Sequence, residues 1–115
     1  MEDSSARVYK IGSMKKIIID TTDKDKIAIS LKLDEKVETS RSKRTNNSQQ
    51  VLPMIVEILG ENKMRVEDLE AIDVDLGPGS FTGIRVGISI ANALGEVLKI
   101  PVNGKRQLLV APKYK

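Results

Sequence analysis

Residues 77–87, with the sequence GPGSFTGIRVG, hold four glycines and a proline within eleven positions. They lie between an apolar strand pattern at residues 71–76 and a long apolar helix pattern. A chain that passes from strand to helix over so few residues needs positive φ angles or close backbone approaches, which glycine accepts at least cost. Pro78 fixes its own φ and favours an extended Gly77, and Ser80 or Thr82 can cap the helix. The stretch therefore predicts a tight, rigid strand-to-helix corner.

Three strand patterns precede the first helix. Residues 15–20 include three consecutive isoleucines, which is typical of a central strand covered on both faces. Residues 26–33 alternate apolar and polar side chains. After a turn at Asp34 and Glu35, residues 36–40 predict a weaker, polar edge strand. Residues 41–47 contain no apolar side chain and predict a loop.

A first helix is predicted from about Ser48 to Gly60. Asn47 with Gln50 three residues later resembles a capping box. Pro53 is late for an ideal first turn, so we expect either a kink there or a helix start nearer Gln50.

The remaining patterns complete an α/β domain with a mixed sheet. A short helical turn is predicted at residues 67–69, a strand at 71–76, the second helix from the corner to about residue 99, and a last strand at 100–102. The order βββαβαβ is that of a ribonuclease H-like single domain with two main helices, and the right-handed crossover rule makes the fourth strand parallel to the first. We expect residues 1–14 to be a disordered extension or a non-native addition, residues 15–104 to be the domain, and residues 105–115 to be a basic tail.

Composition excludes several kinds of chemistry. The chain has 115 residues, no cysteine and no histidine, which excludes disulfides, thiolate or imidazole metal sites and an imidazole base. Residues 1–14 lack the apolar core of a secretion signal, so a cytoplasmic location is expected. Bases cluster at residues 41–44 and from Lys99 onward, but without interleaved aromatic residues they indicate solvated surface rather than an RNA site.

Three motifs together make the chain resemble the TsaB (YeaZ) family. They are Asp20-Thr21-Thr22 after the isoleucine strand, Leu52-Pro53 in the first helix, and the long glycine stretch 77–87. The similarity runs from about Lys15 to about Gly104 and corresponds to the N-terminal domain of that family. The resemblance implies the actin-like ATPase fold and a non-catalytic role in making threonylcarbamoyladenosine on tRNA. It also implies a TsaD-type catalytic partner, a TsaE-type ATPase as a further component, only indirect contact with tRNA, and no catalytic residue, metal or cofactor of the chain's own.

Both helices carry more apolar surface than one sheet can cover. On a helical wheel the polar residues of each helix form one narrow stripe, and the rest of the helix surface is apolar. The second helix is not expected to cross a membrane, because about 17 residues interrupted by charges barely span a bilayer. Gly83, Gly87, Ala91 and Gly95 form a row that predicts close approach of another backbone. Pairing with a second copy or with a TsaD-type subunit is therefore expected. The predicted interface residues are Leu52, Ile55, Val56, Leu59, Ile84, Gly87, Ile88, Ala91 and Leu94.

The glycine stretch has two interpretations. Its spacing fits neither the dinucleotide nor the P-loop fingerprint, so a structural corner is favoured over a weak anion site at the helix N-terminus. The residues concerned are Gly77, Pro78, Gly79, Ser80, Phe81, Thr82, Gly83 and Arg85.

The resemblance and the apolar helices together predict a non-catalytic scaffold subunit, and two alternatives to this role remain. Asp20, Glu57 and Asp75 (or Asp73) occupy the elements that hold two Mg²⁺ in ribonuclease H-like nucleases, although Glu57 belongs to the polar stripe. The chain can also be a freestanding homodimer with another binding role.

Overall fold

The computed structural model describes residues 14–34 and 38–105. Four strands form one mixed sheet, and two α-helices and two 3₁₀ turns connect them. In chain order the elements are β1 (Lys16–Asp20), β2 (Ile27–Lys32), β3 (Glu38–Lys43), a 3₁₀ turn (Ser48–Gln50), α1 (Val51–Glu61), a 3₁₀ turn (Val66–Asp68), β4 (Ala71–Val74) and α2 (Phe81–Leu98). The predicted α/β fold is confirmed.

The sheet has the order β3-β2-β1-β4, with β1 antiparallel to β2 and parallel to β4, as the crossover rule predicts. The predicted last strand is reduced to one parallel bridge between Ile72 and Val102. The connection from β3 to β4 through α1 and the connection from β4 to Val102 through α2 run in the same direction across the sheet. Because such crossover connections are right-handed, both helices lie on the same face of the sheet. The side chains of Ile17, Ile19, Ile29 and the two helices form a single buried core on that face. We call the other face the outer sheet face.

β3 is longer than its sequence suggests. The expected loop at residues 41–47 is wrong for residues 41–43, which pair with β2 in the register Ile27–Lys43 and Ile29–Arg41. The side chain of Arg41 reaches α1 and binds Glu61, and that of Lys43 binds Gln50 in the 3₁₀ turn before α1. Backbone pairing and these contacts stabilise a polar edge strand that hydrophobic periodicity does not detect. The turn residue Glu35, the first residues of the predicted third strand, the predicted extension up to residue 13 and the predicted tail from residue 106 lie outside the described residues.

α1 begins directly after Gln50, as one of the two alternatives predicted. Asn47 Oδ1 accepts a hydrogen bond of 3.0 Å from Gln49 N, which caps the preceding 3₁₀ turn. Gln50 does not complete a capping box, because its Oε1 accepts from Lys43 Nζ instead. Pro53 is the third residue of α1, where its missing N–H is one that the helix would leave unpaired in any case.

Asn103 extends the sheet beyond β4 with its side chain. Its Oδ1 accepts from Val74 N at 2.7 Å, and its Nδ2 donates to Val74 O at 3.0 Å. β4 ends at Val74 rather than at Leu76 as predicted, although Asp75 N still donates to Ile19 O, because the chain turns after Asp75, whose Oδ1 accepts from Gly77 N at 3.1 Å.

Replacing Asn103 with alanine is expected to lower the free energy of unfolding by about 1–3 kcal/mol, because two backbone groups of Val74 lose their partners. Urea denaturation checks this. Asn46→Ala, at an exposed position, is the matched control and is expected to stay within about 0.5 kcal/mol of the parent. Equal effects of the two substitutions would show that Asn103 carries no such role.

Candidate protein–protein interface and the glycine corner

The glycines of the corner occupy positions that a side chain would not fit. Gly77 has a φ of +108°, in the region that favours glycine. A Cβ on Gly79 would lie 2.5 Å from Thr22 O, and one on Gly83 would collide with Thr21 O. Ser80 caps α2, since its Oγ accepts from Gly83 N at 3.1 Å. The corner geometry predicted from the sequence is therefore present.

The corner is bound to the loop that follows β1. Thr21 is buried, and its Oγ1 donates to Gly83 O at 2.5 Å, while Ser80 N donates to Thr22 O at 2.7 Å. One oxygen of Asp20, Oδ1, accepts from both Thr22 N and Thr22 Oγ1, at 3.0 and 2.7 Å. The two motifs that were distant in sequence thus form one hydrogen-bonded unit.

A groove of about 330 Å³ opens beside this unit. Thr82, Ser80 and Gly83 line it, together with the loop residues Thr45 and Asn46. Gly83 N is already bound to Ser80, which removes one of the N–H groups that an anion would use. Pro78 and Arg85 are exposed and outside the groove lining, and the Arg85 guanidinium lies 5.4 Å from the centre of the Phe81 ring. The weak anion site remains a prediction.

Six of the nine predicted interface residues lie in the core of the protomer itself. They are Ile55, Leu59, Ile84, Gly87, Ile88 and Ala91. The row of small residues on α2 also faces the chain's own sheet, contrary to the prediction. A Cβ on Gly87 would collide with Thr21 Oγ1, and one on Gly95 would lie 2.5 Å from Val102 Cγ2. These small residues let α2 approach its own strands closely, and they are not open to a partner.

The other three predicted residues remain accessible to a partner. Leu52 and Val56, one turn apart on α1, are 47% and 55% exposed, and Leu94 is half-buried. Two large apolar residues of α2 that were not among the predicted interface residues are also exposed. They are Phe81 and Val97, which are 56% and 77% exposed.

A groove of about 700 Å³ accompanies these exposed residues at the N-terminal half of α2. Its lining includes Ser48, Phe81, Arg85, Val86 and Ile90. We use the name helix face for the exposed side of both helices, defined by Leu52, Val56, Phe81, Val86, Ile90, Leu94 and Val97. By length and composition α2 also qualifies as a membrane-crossing helix, a weak indication that core helices of soluble proteins share.

The carboxylates of the nuclease alternative do not come together in the part of the chain that the structure describes. Asp20, Asp73 and Asp75 line a shallow groove on the outer sheet face, whereas Glu57 is exposed on α1, which packs on the opposite face. Asp73 Oδ2 is paired with Lys16 Nζ at 3.0 Å. Within residues 14–34 and 38–105, no group of three or more carboxylates could hold a metal ion.

The mixed sheet with its two helices defines a domain of the actin-like ATPase class. A model of the family described as "TsaD: tRNA N6-adenosine threonylcarbamoyltransferase" matches residues 38–109. The chain belongs to this family, and its relatives within it are the TsaB (YeaZ) proteins.

The TsaB protein of Buchnera aphidicola subsp. Schizaphis graminum is 40% identical over 65 residues, which cover 56% of this chain and 31% of the relative. For TsaB of Escherichia coli K12 the identity is 38% over 63 residues, covering 55% and 27%. The solved structure of YeaZ from Pseudomonas aeruginosa superposes with a TM-score of 0.70 at 29% identity, over 77% of this chain and 41% of that one. The chain thus spans about a third of the length of these curated relatives.

Proposed function

We propose that the chain is a non-catalytic scaffold subunit of the machinery that forms N6-threonylcarbamoyladenosine on tRNA. In this role it pairs through the helix face, with a second copy in isolation and with a TsaD-type enzyme in the assembled machinery. Relatives carry the name "tRNA threonylcarbamoyladenosine biosynthesis protein TsaB", which supports involvement in that pathway. The exposed apolar side chains of both helices are the observation that carries the pairing.

The helix face exposes large apolar side chains that pairing would cover. Leu52, Val56, Phe81 and Val97 are large apolar residues that are at least 47% exposed. The aromatic ring of Phe81 and the guanidinium of Arg85 belong to the side-chain types that most often contribute strongly to protein–protein binding. Water is displaced from these side chains when another protein's helices cover them, and this favours association.

The hydrogen bonds within the loop after β1 also support a scaffold role. Asp20, the carboxylate at the end of β1, has one of its two oxygens bound to Thr22 N and Thr22 Oγ1. We therefore assign ATP and metal chemistry to the partner, and a TsaE-type ATPase and tRNA to contacts made by the assembled machinery. Such a subunit would act in the cytoplasm.

Co-expression of the tagged chain with a TsaD-type subunit tests this proposal. The scaffold role predicts that the two proteins purify together at a constant ratio. A freestanding homodimer predicts that the chain purifies as a dimer without the enzyme. Recovery of a homodimer in the presence of excess enzyme would therefore reject the scaffold role while retaining the helix face as an interface.

A further inference from the structure

Four polar residues form a line along the exposed side of α2. They follow one another at intervals of four, three and four residues, and residues at such intervals are neighbours on a helix surface. They are Arg85, Ser89, Asn92 and Glu96, and we call their line the polar row. Arg85, Ser89 and Glu96 are exposed, and Asn92 is half-buried. In the part of the chain that the structure describes, the polar row therefore lies open to another protein.

An apolar line borders the polar row. Every residue of the polar row is followed in the chain by one member of this line, and the members are Val86, Ile90, Ala93 and Val97. One residue turns the helix by about 100°, so the two lines run side by side rather than on opposite faces. Where the two lines meet, the surface is formed by Ser89 and Ala93, which are small and exposed. Another helix can therefore approach α2 closely at this point and cover the apolar line.

Arg85 and Glu96 carry opposite charges at the two ends of the polar row. Eleven residues separate them along α2, which corresponds to about 16 Å of helix and is too far for the two side chains to pair with each other. Within residues 14–34 and 38–105 the ion pairs involve other side chains. The Arg85 guanidinium lies 5.4 Å from the centre of the Phe81 ring, which leaves its N–H groups available. Both charges are thus available to groups on another protein.

The polar row is complementary to itself when one copy is turned end for end. If two α2 helices lie antiparallel, Arg85 of one protomer faces the partner's Glu96, and Glu96 faces the partner's Arg85. The same register sets Ser89 opposite the partner's Asn92, and a hydroxyl and a carboxamide can form a hydrogen bond. A parallel arrangement would instead set like charges against each other at both ends. Charge therefore favours a second copy in the antiparallel orientation.

We infer that two copies of the chain pair through antiparallel α2 helices, with Arg85 of each protomer bound to the partner's Glu96. The contact is isologous, and its two-fold axis crosses α2 at the level of Ile90 and Ala91. Burial of the apolar line provides the attraction, whereas the two charge pairs fix the register and the direction of the helices. This inference rests on the pairing through the helix face that is proposed above, and it adds the residues that select a second copy.

Reversing one charge of the polar row tests the pairing. Arg85→Glu places acids at both ends of the row, and Glu96→Arg places bases at both ends. For each variant alone, the dissociation constant of the homodimer is expected to rise by about tenfold or more, because like charges then face each other at two places. Sedimentation equilibrium over a dilution series of the full chain measures this constant. A dissociation constant equal to that of the parent for both variants overturns the inference.

Mixing the two variants reverses the effect. In a dimer with one copy of each, both ends of the Arg85→Glu row face the basic ends of the Glu96→Arg row. The equimolar mixture is expected to dimerise with a dissociation constant within about threefold of the parent's. Native mass spectrometry identifies the mixed dimer, because the two variants differ in mass. A mixture that dimerises no better than either variant alone overturns the inference.

A chain with both charges exchanged guards against effects on folding. The Arg85→Glu, Glu96→Arg double variant keeps the net charge and the complementarity of the row, so it is expected to dimerise like the parent. Circular dichroism checks that each variant is folded. If a single variant did not fold, a double variant that is folded but monomeric would still reject the pairing.

Lys24→Glu and Glu67→Arg form the matched control pair. Both residues are exposed and lie outside α1 and α2, and the substitutions change the net charge as the two variants of the polar row do. Each control is expected to leave the dissociation constant within about twofold of the parent's, and mixing the two controls is expected to change nothing. Equal behaviour of the control pair and the polar-row pair overturns the inference.

The outcomes separate this inference from the proposed function. Recovery of the dimer on mixing, in a chain that does not purify with a TsaD-type subunit, supports the antiparallel pairing and rejects the scaffold role. A homodimer that glutamates at Leu52 and Val56 disrupt, but that the charge variants leave intact, keeps the helix face and rejects the antiparallel pairing. A parent chain that is monomeric at every concentration rejects the antiparallel pairing as well.

Discussion

Replacing Gly87 with leucine is expected to lower the free energy of unfolding by about 3 kcal/mol. Gly87 is buried between α2 and the sheet, and a Cβ there would collide with Thr21 Oγ1 and lie 3.3 Å from Val74 Cγ2. Thr21 cannot move aside easily, because its Oγ1 is bound to Gly83 O. The larger side chain would push α2 away from β1 and β4. Chemical denaturation monitored by circular dichroism gives the measurement.

Gly60→Ala is the matched control for glycine substitution in a helix. Gly60 is exposed in α1, and a Cβ there meets no atom within 4 Å. Alanine is expected to raise the free energy of unfolding by about 0.5–1 kcal/mol through its higher helix propensity. A Gly87→Leu protein as stable as its parent, but altered in oligomeric state, would instead mean that Gly87 faces a partner, as the sequence alone suggested.

Introducing glutamate at both Leu52 and Val56 is expected to weaken assembly through the helix face by about 100-fold or more, because two apolar contacts are lost and two charges must be buried. Both residues are about half exposed in the protomer, so its own free energy of unfolding is expected to change by less than about 1 kcal/mol. Titration calorimetry against the TsaD-type subunit measures the affinity, and denaturation measures the stability.

Met14→Glu is the control for the general effect of an added surface charge. Met14 is 46% exposed just before β1 and is not part of the helix face. The Met14→Glu substitution is expected to leave the affinity for the TsaD-type subunit within about twofold of the parent. If the double substitution on α1 behaved like Met14→Glu, Leu52 and Val56 would not belong to the interface.

The sequence predicted the framework well because each element carried a local signal. Alternation at residues 27–32, the isoleucines of β1 and the glycines before α2 specify strands and a corner through short-range sterics and hydrophobic pattern. The sequence predicted β3 only in part. Arg41 and Lys43 are held by pairing with β2 and by side-chain contacts with Glu61 in α1 and Gln50 in the turn before it, and a local hydrophobic pattern does not report such contacts. A polar edge strand has no periodic apolar signal.

The orientation of α2 could not be predicted from its wheel. Its apolar arc is so wide that both the row containing Gly87 and the side containing Val97 could face the sheet. The decisive feature is Thr21, a buried residue whose backbone and side chain require glycine at positions 83 and 87. That requirement turns the small residues inward and leaves Phe81 and Val97 on the surface.

The central claim is that the exposed apolar side of α1 and α2 is covered by another protein subunit. Light scattering after size-exclusion chromatography tests it directly, on the purified chain alone and mixed with a TsaD-type subunit. The account predicts twice the chain mass of 12.7 kDa for the chain alone, and a heteromer containing both proteins in the mixture. A mass of one chain in both samples, with the enzyme eluting separately, would contradict it.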